Sequence, residues 1–169
     1  DEKLIVFGNL PYNISTEILT KWILNIKSSF WFDKLILMFQ REVADRIISK
    51  MNTSNYGRLS VLLNWKMKIK KLFDIGPNCF FPKPKVDSSV LHFIPKKTYF
   101  PIKKSKNLEM VTRVFFNHRR KMIKNPLKQL FMNFEDISNK LKLDLKLRPQ
   151  NLSLETYCKI VREYENLVS

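Results

Sequence analysis

A four-residue segment follows the apolar run Leu4–Phe7 and a single glycine; it consists of Asn9, Leu10, Pro11 and Tyr12. Open α/β sheets bind ligands beyond the carboxyl ends of their strands, so this segment lies where a site is expected. The side-chain oxygen of Asn9 and the carbonyl of Leu10 could accept hydrogen bonds from an aromatic amine and orient its nitrogen toward a methyl donor. Pro11 stiffens the loop, and the ring of Tyr12 offers a face on which a base can stack. The pattern suits group transfer to a nucleobase amine, and a purely structural turn is the alternative.

A second aromatic segment precedes the last predicted strand, in the loop 80–88. Two prolines restrict this loop, so an aromatic side chain beside them is held in place. Phe80 could therefore form the second wall of a base slot that faces Tyr12. Lys83 and Lys85 of the same loop could contact phosphates. One of the two adjacent phenylalanines could instead be a hydrophobic plug that seals the sheet.

Positive charge is concentrated in the second half of the chain. The sequence has 31 Lys and Arg against 15 Asp and Glu, a net charge of +16, and no acid occurs between Glu109 and Glu135. An uncompensated run of cations favours a surface for RNA phosphates over a merely solvated face. We therefore predict RNA contacts for Arg113, Arg119, Arg120, Lys121, Lys124 and Lys128. Arg120, Lys124 and Lys128 are spaced four residues apart, which predicts one helical face.

Composition limits the other classes of function. No stretch approaches the roughly 20 uncharged apolar residues that span a bilayer, so we expect no membrane partner. Cys79 and Cys158 lie far apart, and with His92 and His118 they form no zinc-ligand spacing. The sequence therefore predicts unpaired thiols in a reducing cytoplasm and no metal site.

Strand and helix patterns alternate along the first part of the chain. We predict strands over 4–7, 35–39, 65–70 and 86–94. The first strand is expected to be buried and to stop at Gly8. Helices are expected after an N-cap at Ser15, over 43–51 and over 59–63. This order describes the second half of an open α/β sheet. The first half of such a sheet is not in the sequence, so we expect the chain to derive from a longer protein.

The region after the sheet reads as a linker followed by helices. Basic, proline-containing residues 96–106 lack apolar periodicity and predict a linker between a sheet domain, 1–95, and a small all-helical domain, 107–169. Helices are expected over 108–116, 122–131, 137–143 and 154–167.

Five blocks in order resemble the KsgA-type ribosomal RNA adenine dimethyltransferases, and they span nearly the whole chain. They are Val6–Ser15, Gln40–Arg46, Tyr56–Val61, Phe80–Ser88 and Phe116–Lys121. Asn151–Ser153, preceded by Arg148, is similar to the closing segment of that family. Five ordered blocks are far more specific than any one of them.

The resemblance implies the second half of a Rossmann-like class I methyltransferase sheet, followed by a helical domain that contacts rRNA. It implies S-adenosyl-L-methionine as cofactor, bordered by Asn9, and an adenine that Tyr12 and Phe80 clamp while Asn9 and Leu10 orient its amine. The implied activity is dimethylation of two adjacent adenines near the 3′ end of 16S rRNA, linked to small-subunit maturation, by a cytoplasmic monomer. The family's glycine-rich cofactor loop lies upstream of these residues, so the chain alone is expected to bind cofactor poorly and to be inactive.

Three other functions remain open at this level. A macrolide-resistance methyltransferase would use the same chemistry on 23S rRNA. A non-catalytic relative would serve as a ribosome-assembly or mitochondrial transcription factor. A basic RNA chaperone would bind RNA without sequence preference or methyl transfer.

Overall fold

The computed structural model describes residues 4–26 and 29–168. In these ranges the strands are β1 Leu4–Asn9, β2 Phe32–Gln40, β3 Met67–Ile75 and β4 Ser88–Pro95. The α-helices are α1 Ser15–Leu24, α2 Arg41–Ile48, α3 Arg58–Lys66, α4 Ser105–Asn117, α5 Lys124–Leu130, α6 Phe134–Leu141 and α7 Leu154–Leu167. None of these described helices is long and apolar enough to cross a membrane.

The four strands form one mixed sheet in the order β1-β2-β4-β3. β1 runs parallel to β2, whereas β4 lies between β2 and β3 and runs antiparallel to both. The α/β class and the order of strands and helices predicted from the sequence are confirmed. β3 begins at Met67 and not at Trp65, because Trp65 belongs to the last turns of α3.

The predicted burial of β1 is wrong. Leu4, Ile5 and Phe7 expose 59%, 50% and 73% of their surface, since β1 is an edge strand that pairs only with β2 in the described sheet. β2 has neighbours on both sides and carries the core of this sheet; Leu35, Leu37 and Phe39 are fully buried. An apolar run predicts a strand that is suited to burial. Whether the strand is buried depends on the other elements that pack on it, which the run itself does not identify.

The start of α1 also differs from the prediction. Ser15 is the first helical residue, and Ile14 occupies the N-cap without a side-chain hydrogen bond. The Ser15 hydroxyl instead donates to the carbonyl of Tyr12 over 3.2 Å. The predicted apolar face is confirmed at Leu19 and Ile23, which are fully buried.

Contacts within the chain define two units. The first contains the sheet with α1 and α2, from residues up to 48 and 66–99; the second contains residues 49–65 and those from 100 onward. The sequence pattern predicts that 49–65 belongs with the sheet, whereas in the structure this segment packs on the helices of the second unit. The ring of Tyr56 meets that of Phe116 edge-on, at 6.2 Å between centroids.

The helical unit has its own apolar core. Phe115, Leu127, Phe131 and Tyr157 are buried there, and the Phe115 and Tyr157 rings lie edge-to-face at 5.5 Å. Helix α7 has the predicted bounds. The other three helices are confirmed with shifts of up to three residues at their ends, because helix bounds are the least certain part of a prediction from sequence.

Glu165 fixes the start of α4 inside the helical unit. Its carboxylate accepts hydrogen bonds from the backbone N–H groups of Lys103 and Lys104, both at 3.0 Å, and from the Asn107 amide at 2.9 Å. Those donors would otherwise lack partners at the helix N-terminus. The predicted linker therefore ends before residue 105, where α4 begins.

These contacts also set the ionisation of Glu165. Burial alone would raise the pKa of this carboxyl, but the hydrogen bonds from Lys103, Lys104 and Asn107 outweigh it and hold the pKa below its ordinary value of 4.5. The carboxylate is therefore fully charged in the folded unit near neutral pH, although Glu165 is only 3% exposed.

We predict that Glu165→Gln lowers the free energy of unfolding by about 1–2 kcal/mol at pH 7, because charge-assisted hydrogen bonds are weakened. Since the folded pKa is depressed, this contribution is complete above the unfolded pKa and is lost as pH falls through the folded pKa. Urea unfolding at pH 7 measures the loss of stability, and urea unfolding in acid measures how that loss depends on pH. Glu155→Gln, on an exposed pair with Lys159 in the same helix, should leave the free energy of unfolding nearly unchanged. A Glu165→Gln deficit that persists unchanged in acid would contradict this account.

Candidate active site

The end of β1 with the loop that follows it, and the loop before β4, line an open cleft of about 340 Å³. Its walls are formed by Asn9, Leu10, Pro11, Tyr12, Phe80, Phe81, Pro82 and Pro84. All five residues predicted to be catalytic thus line the same cleft. Their placement agrees with the expected site, and their catalytic roles remain predictions.

Tyr12 is held at both ends. Its phenolic oxygen lies 2.6 Å from the hydroxyl of Ser88, the buried first residue of β4. On the backbone side, the Tyr12 carbonyl accepts from Ser15, and the Pro11 carbonyl accepts from the Ile14 N–H at 3.1 Å. The ring therefore has a fixed position in the cleft, as a stacking platform requires.

The loop before β4 is anchored on each side of its aromatic pair. A 3-10 turn at Pro77–Cys79 precedes Phe80, whose N–H donates to the Pro77 carbonyl at 3.3 Å. At the other end, the Asp87 carbonyl accepts from the Arg41 N–H at 2.9 Å. Phe80 is half-buried in the cleft, whereas Phe81 is fully exposed.

An ion-pair network lies where β3, β4 and α2 come together. Lys71 donates to Asp45 at 3.2 Å and to Asp74 at 3.1 Å, and Arg41 lies 3.8 Å from Asp74. Two hydrogen bonds hold the pKa of Asp74 below its ordinary value. The one from the Ser89 hydroxyl has the larger effect, and the one from Lys71 has the next largest. The sequence does not predict this network, because its members are far apart in the chain. It fixes the strand ends from which the loop at Phe80 departs.

The chemistry that the cleft can perform is restricted by its lining. The eight lining residues include no carboxylate, histidine or lysine. What they offer is an exposed amide at Asn9, backbone carbonyls, and the three aromatic rings of Tyr12, Phe80 and Phe81. Such a site can orient and stack a flat, amine-bearing ligand, but it offers no strong general base.

The predicted RNA-binding cations occupy different environments. Lys83 and Lys85 are exposed in the loop before β4, and Arg113, Arg120, Lys121, Lys124 and Lys128 are exposed in the helical unit. The prediction that Arg120 shares a helical face with Lys124 and Lys128 is wrong. Residues 118–121 form a turn, with the Lys121 N–H bonded to the His118 carbonyl, and α5 begins only at Lys124.

Arg119 is engaged within the helical unit. Its guanidinium donates to the Ser54 carbonyl and, at 3.4 Å, to the side-chain oxygen of Gln150. It therefore ties the segment before α3 to the segment before α7. This contact distinguishes Arg119 from the exposed Arg120 beside it.

A second, basic cleft of about 240 Å³ lies in the helical unit. It is lined by Arg58, Lys106, Glu109, Met110 and Arg113, with Arg58 3.5 Å from Glu109. Arg58 and Lys106 were not predicted as site residues. The spacing of Lys106 and Arg113, two turns apart on one helix, was the available signal.

Two solved structures share the fold. A dimethyladenosine transferase from Plasmodium falciparum matches with a TM-score of 0.79 and 24% identity over 98% of this chain and 68% of that one. The 23S rRNA methyltransferase ErmE matches with a TM-score of 0.64 and 18% identity over 97% and 66%. The chain thus has an α/β methyltransferase fold.

The family model for ribosomal RNA adenine dimethylase matches residues 1–166, and the chain belongs to this family. It is 62% identical over 167 residues to ribosomal RNA small subunit methyltransferase A of Pelagibacter ubique, covering 99% of this chain and 64% of that protein. The protein of the same name in Ehrlichia canis is 45% identical over 156 residues, covering 92% and 58%. The family resemblance in the sequence is confirmed, and the chain spans less than two thirds of these relatives' length.

The contrast between two adjacent arginines is testable. We predict that Arg119→Ala lowers the free energy of unfolding by about 1–3 kcal/mol, because it removes hydrogen bonds to Ser54 and Gln150. Arg120→Ala, which removes the same charge from an exposed position, should change it by at most about 0.5 kcal/mol. Urea unfolding compares the two variants, and equal stabilities would show that Arg119 has no structural role.

Proposed function

We propose that this chain supplies the target-base site of an S-adenosyl-L-methionine-dependent rRNA adenine dimethyltransferase. The proposed substrate is a pair of adjacent adenines near the 3′ end of 16S rRNA in the small ribosomal subunit. The observation that carries the proposal is the cleft in which Asn9 and Leu10 stand beside Tyr12 and Phe80. Membership of the adenine dimethylase family supports it independently.

In this mechanism, the residues of the cleft position a weak nucleophile. The lone pair of an adenine amine is delocalised into the ring, so the amine reacts only when it is well oriented. The Asn9 side-chain oxygen and the Leu10 carbonyl accept hydrogen bonds from its two N–H groups and favour a more tetrahedral nitrogen. When bound, S-adenosyl-L-methionine supplies an electrophilic methyl group. Once the nitrogen has gained the methyl group it is positively charged, and its proton passes to water without a strong base, which agrees with the lining of the cleft.

Tyr12 and Phe80 hold the base itself. A flipped base stacks on aromatic faces with about 1–3 kcal/mol per base. The hydrogen bond to Ser88 fixes the Tyr12 ring before the base arrives, so little side-chain freedom is lost on binding.

The residues present fit one edge of the cofactor. Asn9 ends a parallel strand at an open cleft and exposes a polar amide there. We propose that upstream residues, in a chain of the relatives' length, complete the cofactor site, and that the chain alone is inactive.

The basic surface points to RNA as the partner. Lys83 and Lys85 flank the cleft, and the helical unit carries the basic cleft and the exposed cations of α4 and α5. The names of the relatives at 62% and 45% identity specify the small subunit, which supports 16S over 23S rRNA as the substrate. We propose a role in small-subunit maturation for a monomer in the cytoplasm, with the sheet unit as the catalytic part and the helical unit, which includes residues 49–65, as the rRNA-contacting part.

Asn9→Ala tests the proposed role of the cleft. A full-length enzyme that contains this chain, with upstream residues taken from the Pelagibacter relative, would be assayed for methyl transfer to unmethylated small subunits. Loss of the orienting acceptor should lower kcat by about 100- to 1,000-fold, while subunit binding stays unchanged. Asn13→Ala, in the same turn but outside the cleft, is the matched control and should retain activity.

Full methylation by the Asn9→Ala enzyme would contradict a catalytic role for the cleft. Equal losses in the two variants would indicate damage to the turn.

A further inference from the structure

Phe81 is an apolar side chain with no protein surface against it. Its exposed fraction is 102%, yet it lines the rim of the cleft that contains Tyr12 and Phe80. Single exposed apolar residues are common on protein surfaces. The position of Phe81 distinguishes it, because it follows the proposed base-stacking residue directly and precedes Pro82 in an anchored loop.

The backbone directs the two adjacent rings apart. Phe80 has extended dihedrals, with φ −124° and ψ 149°. Successive side chains of an extended segment point to opposite sides. Accordingly Phe80 is half-buried while Phe81 is exposed to solvent, so one base cannot stack on both rings. The loop therefore presents two separate aromatic faces.

The charge beside Phe81 suits a nucleic acid strand. Lys83 and Lys85 are exposed in the same loop, and neither has an ion-pair partner among the described residues. Flat aromatic faces beside free cations are the features that bind single strands, since bases stack while phosphates meet the lysines.

We propose that Phe81 stacks on the base that flanks the target adenine, the other member of the adjacent pair, and so helps to select an unpaired dinucleotide. This inference rests on the proposed function, which assigns only the target base, to Tyr12 and Phe80. Phe81 touches the neighbouring base and not the reacting amine. It should therefore contribute to RNA affinity and leave the methyl-transfer step largely unchanged.

The test uses the full-length enzyme and small subunits reconstituted with either intact 16S rRNA or rRNA that lacks the flanking base. Phe81→Ala and Phe81→Leu should raise KM for the intact substrate by roughly 5- to 150-fold, the range for loss of one base–aromatic stack. The kcat for the first methyl group should change little. Phe81→Tyr, which keeps the ring, should restore KM. On the substrate without the flanking base, all four enzymes should be alike.

A matched control removes an equally exposed apolar side chain elsewhere. Met132 is 104% exposed in the helical unit, and Met132→Ala should leave KM and kcat unchanged. An unchanged KM for Phe81→Ala, or a rise that persists without the flanking base, would overturn the proposal. A lowered Tm with the same KM rise on both substrates would show that Phe81 packs on other protein residues, which also overturns it.

Failure of the proposed function would look different. If Asn9→Ala and Phe80→Ala enzymes methylate normally, the cleft is not the base site whatever Phe81 does. If those variants lose kcat while Phe81→Ala behaves as wild type, the proposed function stands and the role of Phe81 is rejected.

Discussion

The candidate site depends on the antiparallel insertion of β4 between β2 and β3. Because β4 runs against its neighbours, its first residue, Ser88, pairs with Gln40 at the end of β2 and with Ile75 at the end of β3. The start of β4 therefore lies at the sheet edge where β1 ends in Asn9. The hydrogen bond between Tyr12 and Ser88 joins the two loops across that edge. A parallel β4 would place its preceding loop at the opposite edge, far from Asn9.

Under the proposed function, positioning and not acid–base chemistry explains the composition of the cleft. An aromatic amine must be oriented toward an electrophile before it reacts. The amide, carbonyls and aromatic rings of the cleft can hold it in that orientation. Charged groups lie outside the lining, where the network of Arg41, Lys71 and Asp74 secures the strand ends. The charged groups that stabilise the strand ends are thus separate from the cleft, whose lining contains no strong base.

Local patterns in the sequence predicted much of the fold. The apolar run of β2 and the 3.6-residue period of α7 gave those elements, because core burial dominates both. The cleft residues were also found, since a loop after a strand and a proline-bounded aromatic pair are local features. Recognition of five ordered blocks supplied the family.

The errors came from features that the periodicity of a single segment does not reveal, some of them local and some between distant residues. The hydroxyl of Ser15 bonds backward to Tyr12 and does not cap α1, and Glu165 starts α4 from about 60 residues away. Arg120 does not share a helical face with Lys124 and Lys128, because a turn lies between it and the start of α5 at Lys124. The exposure of β1 follows from its edge position in the described sheet, which its own apolar run does not reveal.

The most direct test of the account is to map the methylated base. A full-length enzyme containing this chain would be incubated with labelled S-adenosyl-L-methionine and, separately, with unmethylated small and large subunits. The account predicts dimethyladenine at two adjacent positions near the 3′ end of the small-subunit RNA and none in the large subunit. Label in the large subunit alone, or no label in either by an enzyme that binds its cofactor, would contradict it.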